Sequence, residues 1–311
     1  MNDGERIYVA GHTGLVGSAI LRHLQRHSNA VILTRTRAEL DLTQQAAVDR
    51  FFEHERPTHV YLAAARVGGI LDNARHPGDF IRDNLAIQSN VIDAAHRHGA
   101  RKLLFLGSSC IYPKLAPQPM RPEHLMSGAL EITNRAYATA KLAGIEMCRA
   151  YRLQYGFNAI STLPTNLYGP EDNLDPEAGH VIPALLRRFI EAKDQGHDEV
   201  VIWGTGAPRR EFLYIDDVAE ALVTVMQRYD DEAPINVGSG EDISIRALAE
   251  TIQRIVGFEG SIRFDHSKPD GTPRKLLDVE PMFALGWHPR VELDEGLRRT
   301  AEWVRGRLAN G

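Results

Sequence analysis

Tyr137 and Lys141 stand four positions apart in the run RAYATAKLAG, a spacing that puts both side chains on one face of a helix. A tyrosine ordinarily ionises near pH 10, too high for easy proton transfer at neutrality. A lysine ammonium beside it favours the phenolate and is expected to lower that value. Upstream, Ser108 closes the apolar run KLLFLGSS (102–109). A hydroxyl, a phenol and an ammonium are the parts needed to polarise a carbonyl and protonate its oxygen. Taken alone, the Tyr137–Lys141 pair also reads as an exposed pair on a helix. Ser108 at the end of a predicted strand argues for a site, because open α/β sheets bind ligands at the carboxyl ends of their strands.

A second motif supplies a cofactor. Gly11, His12, Thr13, Gly14, Leu15, Val16 and Gly17 follow the β-rich run RIYVA and open a predicted helix. Glycines there allow a tight turn, close approach of the backbone to a pyrophosphate, and packing of helix on strand. The helix amino end then offers unpaired N–H groups to the anion. A structural turn without a ligand is the alternative. The second strand chooses the dinucleotide: it runs into Thr34-Arg35-Thr36-Arg37, with no carboxylate before Glu39. Arginine suits a 2′-phosphate, so Arg37 points to NADP(H), with a positive nicotinamide to help ionise Tyr137. Asp41 and Leu42 are expected beside the adenine.

The elements that must position these groups alternate. RIYVA, AVILT (30–34), HVYLAAA (59–65), KLLFLGSS and NAISTLPTNLYG (158–169) read as strands. Helical spacing fills 43–55, 79–99 and 135–155 between them. Nearly continuous apolar strands alternating with helices predict a doubly wound parallel α/β sheet covered on both faces. From 170 onward the strands are short and scattered, and 170–182 is rich in turn formers. The expected division is a dinucleotide-binding domain over 1–169 and a smaller α/β substrate lobe over 170–311, with segments near 211–240 returning to the first sheet. The loop HSKPDGTPRKLLD (266–278) is too polar and proline-broken to contain an element.

Composition narrows the class. The chain has 311 residues, 43% hydrophobic and 25% charged, with a net charge of −5. That balance excludes disordered, fibrous and disulfide-stapled proteins and gives no basic field for nucleic acid. No apolar run approaches a membrane span, and MNDGERIYVAG does not read as a signal peptide. Cys110 and Cys148 are the two cysteines, and neither forms a CxxC pair. A cytoplasmic protein of a reducing compartment, with no metal, is the expectation.

GxxGxxG, Ser108 and YxxxK together resemble the extended short-chain dehydrogenase/reductases. LAAARVGGI (62–70), FLGSSCIYPK (105–114), PTNLYGP (164–170), HVIPALLRRF (180–189) and KPDGTPRKLLD (268–278) are similar to blocks of the GDP-L-fucose synthase family, over essentially the full length. That resemblance implies an NADPH-dependent enzyme converting GDP-4-keto-6-deoxy-D-mannose to GDP-L-fucose, by 3,5-epimerisation and then reduction at carbon 4. It implies Ser108, Tyr137 and Lys141 as the reductive set, Cys110 as epimerisation base and His180 as acid. Cys110 lies two positions beyond Ser108, on the same side if the segment is extended, and a thiolate is a competent base for a proton beside a ketone. His180 is either that acid or a helix cap; Cys148 reads as a core residue.

By the same resemblance the cofactor also meets Leu106, Gly107, Pro164, Thr165, Asn166, Leu167 and His180. Arg188, Trp203, Arg210 and Asp270 fall on the nucleotide-sugar positions, with Arg274 and Lys275 close by. A homodimer joined through helices near 80–98 and 135–153, forming a four-helix bundle, is implied as well; Leu85, Ile87, Val91 and Ile92 partly fit a helix that buries more than one face. One departure stands out: Thr13 occupies a place where many family members carry arginine, which leaves Arg37 less help in selecting NADPH. Competing readings are another nucleotide-sugar reductase or UDP-sugar 4-epimerase, which needs no Cys110–His180 pair, and a non-catalytic NADP(H)-binding redox sensor, which needs no Tyr137 or Lys141.

Overall fold

The computed structural model describes residues 4–175, 179–268 and 270–310. Residues 176–178 of the turn-rich stretch, Pro269 of the polar loop, residues 1–3 and residue 311 lie outside the described residues. Strands β1 (Arg6–Ala10), β2 (Val31–Leu33), β3 (His59–Leu62), β4 (Lys102–Leu106) and β5 (Asn158–Pro164) alternate with helices α1 (Leu15–His27), α2 (Gln45–Glu55), α3 (Ile70–Arg75), α4 (Pro77–Arg97) and α5 (Arg135–Tyr155). Next come β6 (Asn166–Tyr168), α6 (Val181–Asp194), β7 (Glu199–Trp203), β8 (Arg209–Tyr214), α7 (Ile215–Arg228) and β9 (Ile235–Val237). The chain ends with β10 (Asp242–Ser244), α8 (Ile245–Val256), β11 (Ser261–Asp265), β12 (Arg274–Lys275), α9 (Glu280–Ala284) and α10 (Leu293–Asn310).

Six strands form one sheet in the order β2-β1-β3-β4-β5-β9, each neighbouring pair parallel. Side chains alternate between its two faces, as strand geometry requires. Tyr8 and Ala10 of β1, with Leu103 and Phe105 of β4, enter the core that also holds α2, α4 and α5 residues. Ile7, Val9, Leu104 and Leu106 enter the core shared with α1 and α7. Burial on both faces explains why these strands are apolar at nearly every position. The chain steps outward from β1 to β2 and then returns to set β3 on β1's other side. That reversal opens a crevice at the carboxyl ends of β1 and β3, the place where such sheets bind ligands.

The remaining strands make two small sheets. β8 pairs antiparallel with β10 and parallel with β12 and β6, while β7 pairs with β11. Helices α6, α8 and α10 close a third core over them, around Leu186, Phe189, Ile202, Leu248 and Leu297. Within 211–240, β8 lies in the smaller sheet, α7 packs on α1, and β9 is an edge strand of the large sheet.

Two segments differ from the sequence expectation. The run 158–169 is two strands: β5 stays in the large sheet and β6 leaves it. The break falls at Thr165, whose N–H donates to the Val237 carbonyl (2.9 Å) and whose hydroxyl donates to the Glu211 carbonyl (3.2 Å). The polar loop 266–278 does contain an element, the two-residue β12. Arg209 N donates to Pro273 O (2.8 Å) there, and Leu277 N to the Glu211 carboxylate (2.9 Å). Pairing with a distant strand, rather than local apolar content, creates it.

The glycine turn is packed more tightly than its ligand role alone requires. A Cβ on Gly17 would sit 2.0 Å from the Gly11 carbonyl oxygen, whereas one on Gly78, in the first turn of α4, meets nothing within 4 Å. Gly17→Ala is therefore expected to cost about 1–3 kcal/mol of stability by overpacking. Gly78→Ala is expected to be neutral or to gain up to about 1 kcal/mol from helix propensity. Urea denaturation of both variants checks this, and equal effects would contradict the packing argument.

Candidate active site

β4 ends at Leu106, and the next residues turn away from the sheet. Ser108 caps a short 3-10 turn over Ser109–Ile111, its Oγ accepting a hydrogen bond from Cys110 N at 3.1 Å. Cys110 therefore comes back beside Ser108 through a turn, not along an extended segment as the spacing suggested. The Ser108 hydroxyl also faces the Tyr137 phenol and the Cys110 thiol and favours the ionised form of each.

Lys141 lies one helical turn beyond Tyr137 and is 2% exposed. Its Nζ donates to the Leu106 carbonyl (2.7 Å), sits 4.8 Å from the centroid of the Phe105 ring and 6.0 Å from that of Tyr137. Burial pulls this amine down to about 7 and pushes the Tyr137 phenol above its ordinary value. Burial, not the Lys141 ammonium, is the largest influence on the phenol. Both groups are desolvated, and desolvation favours the neutral form of each. A neutral phenol is the state a proton donor needs.

Cys110 is part-buried, and Lys275 Nζ lies 3.8 Å from its Sγ. That ammonium, ahead of all other influences, holds the thiol below its ordinary value, against the opposing effect of burial. Cys148 is fully buried in the core, where burial pushes its thiol up to about 12. His180 occupies the amino-terminal cap position of α6, but its side chain makes no capping bond. Instead Nδ1 is 2.9 Å from Asp172 Oδ1, with the imidazole 51% exposed and the carboxylate 2% exposed. The carboxylate raises the imidazole above its ordinary value, and the Cys110 sulfur adds to that shift.

Asp172 was not legible as a site residue, since no spacing rule links it to His180.

The cofactor positions divide by what their side chains already do. Arg35 pairs with Glu55 (2.6 Å) and covers the Phe51 ring. Arg37 is exposed and makes no side-chain bond among the described residues. Asp41 Oδ1 accepts from Thr43 N (3.0 Å) and Thr43 Oγ1 (2.8 Å), and Leu42 is buried in the core. Pro164, Thr165, Asn166 and Leu167 cross the seam between β5 and β6, where Asn166 Nδ2 donates to the Glu211 carbonyl (2.7 Å). The glycine turn fits a dinucleotide phosphate. Helix α1 has neither a side-chain cap nor an acidic residue in its first turn, and a Cβ at Gly14 would meet only the Gly11 oxygen, at 3.5 Å. His12 Nδ1 is buried without a partner among the described residues.

The substrate candidates line the smaller lobe. Arg188 donates to the Val201 carbonyl (2.7 Å), and Arg210 faces both Cys110 and Asp270 electrostatically. Trp203 is 60% exposed, with Lys268 Nζ 5.4 Å from its ring centroid. Asp270 is committed to the turn after β7: its oxygens accept from Thr205 N (2.9 Å) and Thr205 Oγ1 (2.7 Å).

Because Asp172 raises His180, the contribution of this pair to stability is complete below the free-histidine range and is lost as pH rises through the folded value. Asp172→Asn is expected to lower the His180 titration midpoint toward the free-histidine range. Histidine ring NMR, assigned with His180→Gln, measures it; an unchanged midpoint would show that the carboxylate does not set the imidazole's charge.

The NAD dependent epimerase/dehydratase family model matches residues 7–238. GDP-L-fucose synthase 1 of Arabidopsis thaliana is 55% identical over 305 residues, covering 98% of this chain and 94% of that protein. GDP-L-fucose synthase of Escherichia coli K12 is 53% identical, covering 96% of each. A GDP-L-fucose synthetase from Naegleria fowleri, crystallised bound to NADP, superposes with a TM-score of 0.92 at 29% identity, over 100% of this chain and 97% of that one. With its glycine turn, its Ser108–Tyr137–Lys141 set and Cys110 beside them, the chain belongs to the NAD dependent epimerase/dehydratase family and, within it, to the GDP-L-fucose synthases.

Proposed function

We propose that the chain converts GDP-4-keto-6-deoxy-D-mannose to GDP-L-fucose with NADPH, inverting carbons 3 and 5 and then reducing carbon 4. The observation that carries this reading is the placement of Ser108, whose Oγ accepts from Cys110 N at 3.1 Å and which faces both the Tyr137 phenol and the Cys110 thiol. A plain reductase needs only Ser108, Tyr137 and Lys141; a base beside the same carbonyl adds the epimerisation.

The 4-ketone is taken to accept hydrogen bonds from Ser108 and Tyr137. Cys110 removes a proton from the adjacent carbon, and the charge moves to the ketone oxygen, where those two donors stabilise it. His180, held by Asp172, returns a proton from another side. The process runs at carbons 3 and 5 in turn. NADPH, when bound, supplies hydride to carbon 4. Tyr137 then gives its proton to the oxygen, and the phenolate left behind favours the ammonium form of the neighbouring Lys141, which stabilises it.

Gly11–Gly17 and the amino end of α1 are assigned to the cofactor's pyrophosphate, and Arg37 to its 2′-phosphate. Thr13 adds no charge there, so NADH is expected to serve as a second, poorer cofactor. Arg188 and Arg210 suit the diphosphate of a GDP-sugar, and Trp203 suits stacking on the guanine or sugar. Asp270 acts through Thr205 and the turn that carries Trp203. The smaller lobe from about residue 170 is assigned to substrate binding, and two free thiols fit a reducing cytoplasm. A homodimer through α4 and α5 is part of the same reading: these helices pack on each other, and Leu153 on α5 leaves 69% of its surface exposed. Light scattering is expected to read twice the 34.7 kDa chain mass, and a monomer would contradict the bundle.

Purified protein given GDP-4-keto-6-deoxy-D-mannose and NADPH is expected to oxidise the cofactor and yield GDP-L-fucose. Cys110→Ser is expected to slow epimerisation by about 10²-fold or more while still supporting hydride transfer, shifting product toward the unepimerised 6-deoxyhexose. GDP-rhamnose as the wild-type product would remove the roles given to Cys110 and His180.

A further inference from the structure

The charge closest to the Cys110 sulfur comes from the other lobe. Lys275 and Cys110 are 165 residues apart in sequence, yet Nζ and Sγ are separated by 3.8 Å. The backbone on both sides of the lysine is fixed. Lys275 pairs with Arg210 in the register of β12 on β8. Leu276 N donates to Gln118 Oε1 (2.8 Å), and Leu277 N to the buried Glu211 carboxylate (2.9 Å). Met120 N donates to the Leu276 carbonyl (2.7 Å), and Asp278 N to the Met120 carbonyl (2.9 Å). The ammonium is therefore brought to the thiol from a strand pinned on two sides, not from a free surface loop.

The other titratable and charged groups that face Cys110 act more weakly or are engaged elsewhere. Burial keeps Tyr137 from α5 neutral, His180 at the head of α6 also favours the thiolate but ranks behind Lys275 and is bonded to Asp172, and Arg210 from β8 donates from Nη1 to the Arg209 carbonyl. Among the described residues, Lys275 is the cation in contact with the sulfur. An ordinary thiol is almost fully protonated at pH 7 and is then a poor base; an adjacent ammonium favours the thiolate.

We propose that Lys275 is a positioning residue for epimerisation, its ammonium holding Cys110 as the thiolate that takes the proton beside the ketone. This deepens the function proposed above and rests on it. In the step, the carbon–hydrogen electron pair moves toward the ketone oxygen, the proton goes to sulfur, and thiolate becomes thiol. Lys275 stays protonated throughout and transfers nothing. The thiolate re-forms when the proton is lost to water.

The direct test is the pH dependence of Cys110 alkylation by iodoacetamide in the full chain, with Cys110→Ser used to subtract Cys148. Lys275→Met is expected to raise the midpoint by at least about one pH unit and to slow alkylation at pH 7 about tenfold. Lys275→Gln should behave like Met, and Lys275→Arg should restore most of the wild-type rate. With substrate in D2O, Met and Gln should slow deuterium entry at carbon 3 by about tenfold, while the KM for NADPH stays unchanged. An unshifted alkylation profile in Met or Gln, or equal midpoints in Gln and Arg, would overturn the proposal. A shifted midpoint in a protein that turns over no GDP-4-keto sugar would leave the Lys275–Cys110 pairing intact and overturn the function on which it rests.

Discussion

The Ser108 hydroxyl sets the geometry of everything around it. Two residues past the end of β4, its oxygen accepts from the Cys110 backbone at 3.1 Å, and its hydroxyl faces the Tyr137 phenol and the Cys110 thiol. Its position is fixed by the sheet: Gly107 N donates to the Thr162 carbonyl at 2.8 Å, and Lys141 binds the Leu106 carbonyl. A carbonyl placed against this hydroxyl meets a neutral acid on one side and a sulfur base on the other. In the proposed reaction the same oxygen would carry negative charge in both proton removal and hydride addition, so one set of donors would serve both steps.

The smaller lobe completes that arrangement through Glu211. This carboxylate is fully buried and raised to about 7 by burial. It accepts from Gly240 N (2.8 Å) and Leu277 N (2.9 Å), while the carbonyl of the same residue accepts from Thr165 and Asn166. One residue of β8 thus ties together the end of β5, the loop after β9 and the strand that holds Lys275. The buried carboxylate is costly unless those backbone donors stay in place. That cost makes the seam between the lobes specific rather than a loose apposition.

Much of this was legible in the residues. The glycine turn after a predicted strand, Ser108 at a strand end and the four-residue tyrosine–lysine spacing are local signals, and periodicity alone predicted the parallel sheet. What was hidden depends on distance in sequence or on burial. Lys275 could be placed only near the substrate, because its contact with Cys110 follows from β12 pairing on β8. Asp172 gave no signal at all. The rise that burial gives the Tyr137 phenol was hidden because desolvation belongs to the folded molecule and not to a four-residue spacing. The two-strand break at Thr165 was hidden because both halves are equally apolar, and the hydrogen bonds that divide them come from Val237 and Glu211.

The central claim is that a single polarised oxygen serves both halves of the reaction. Ser108→Ala tests it most directly when two rates are measured on the same sample: solvent-deuterium exchange into the keto sugar and hydride transfer from NADPH. Both rates are expected to fall together, each by about 10²–10³-fold, as for removal of one donor to a developing oxyanion. A large loss in hydride transfer with exchange unchanged, or the reverse, would mean that the two reactions use separate groups and would contradict it.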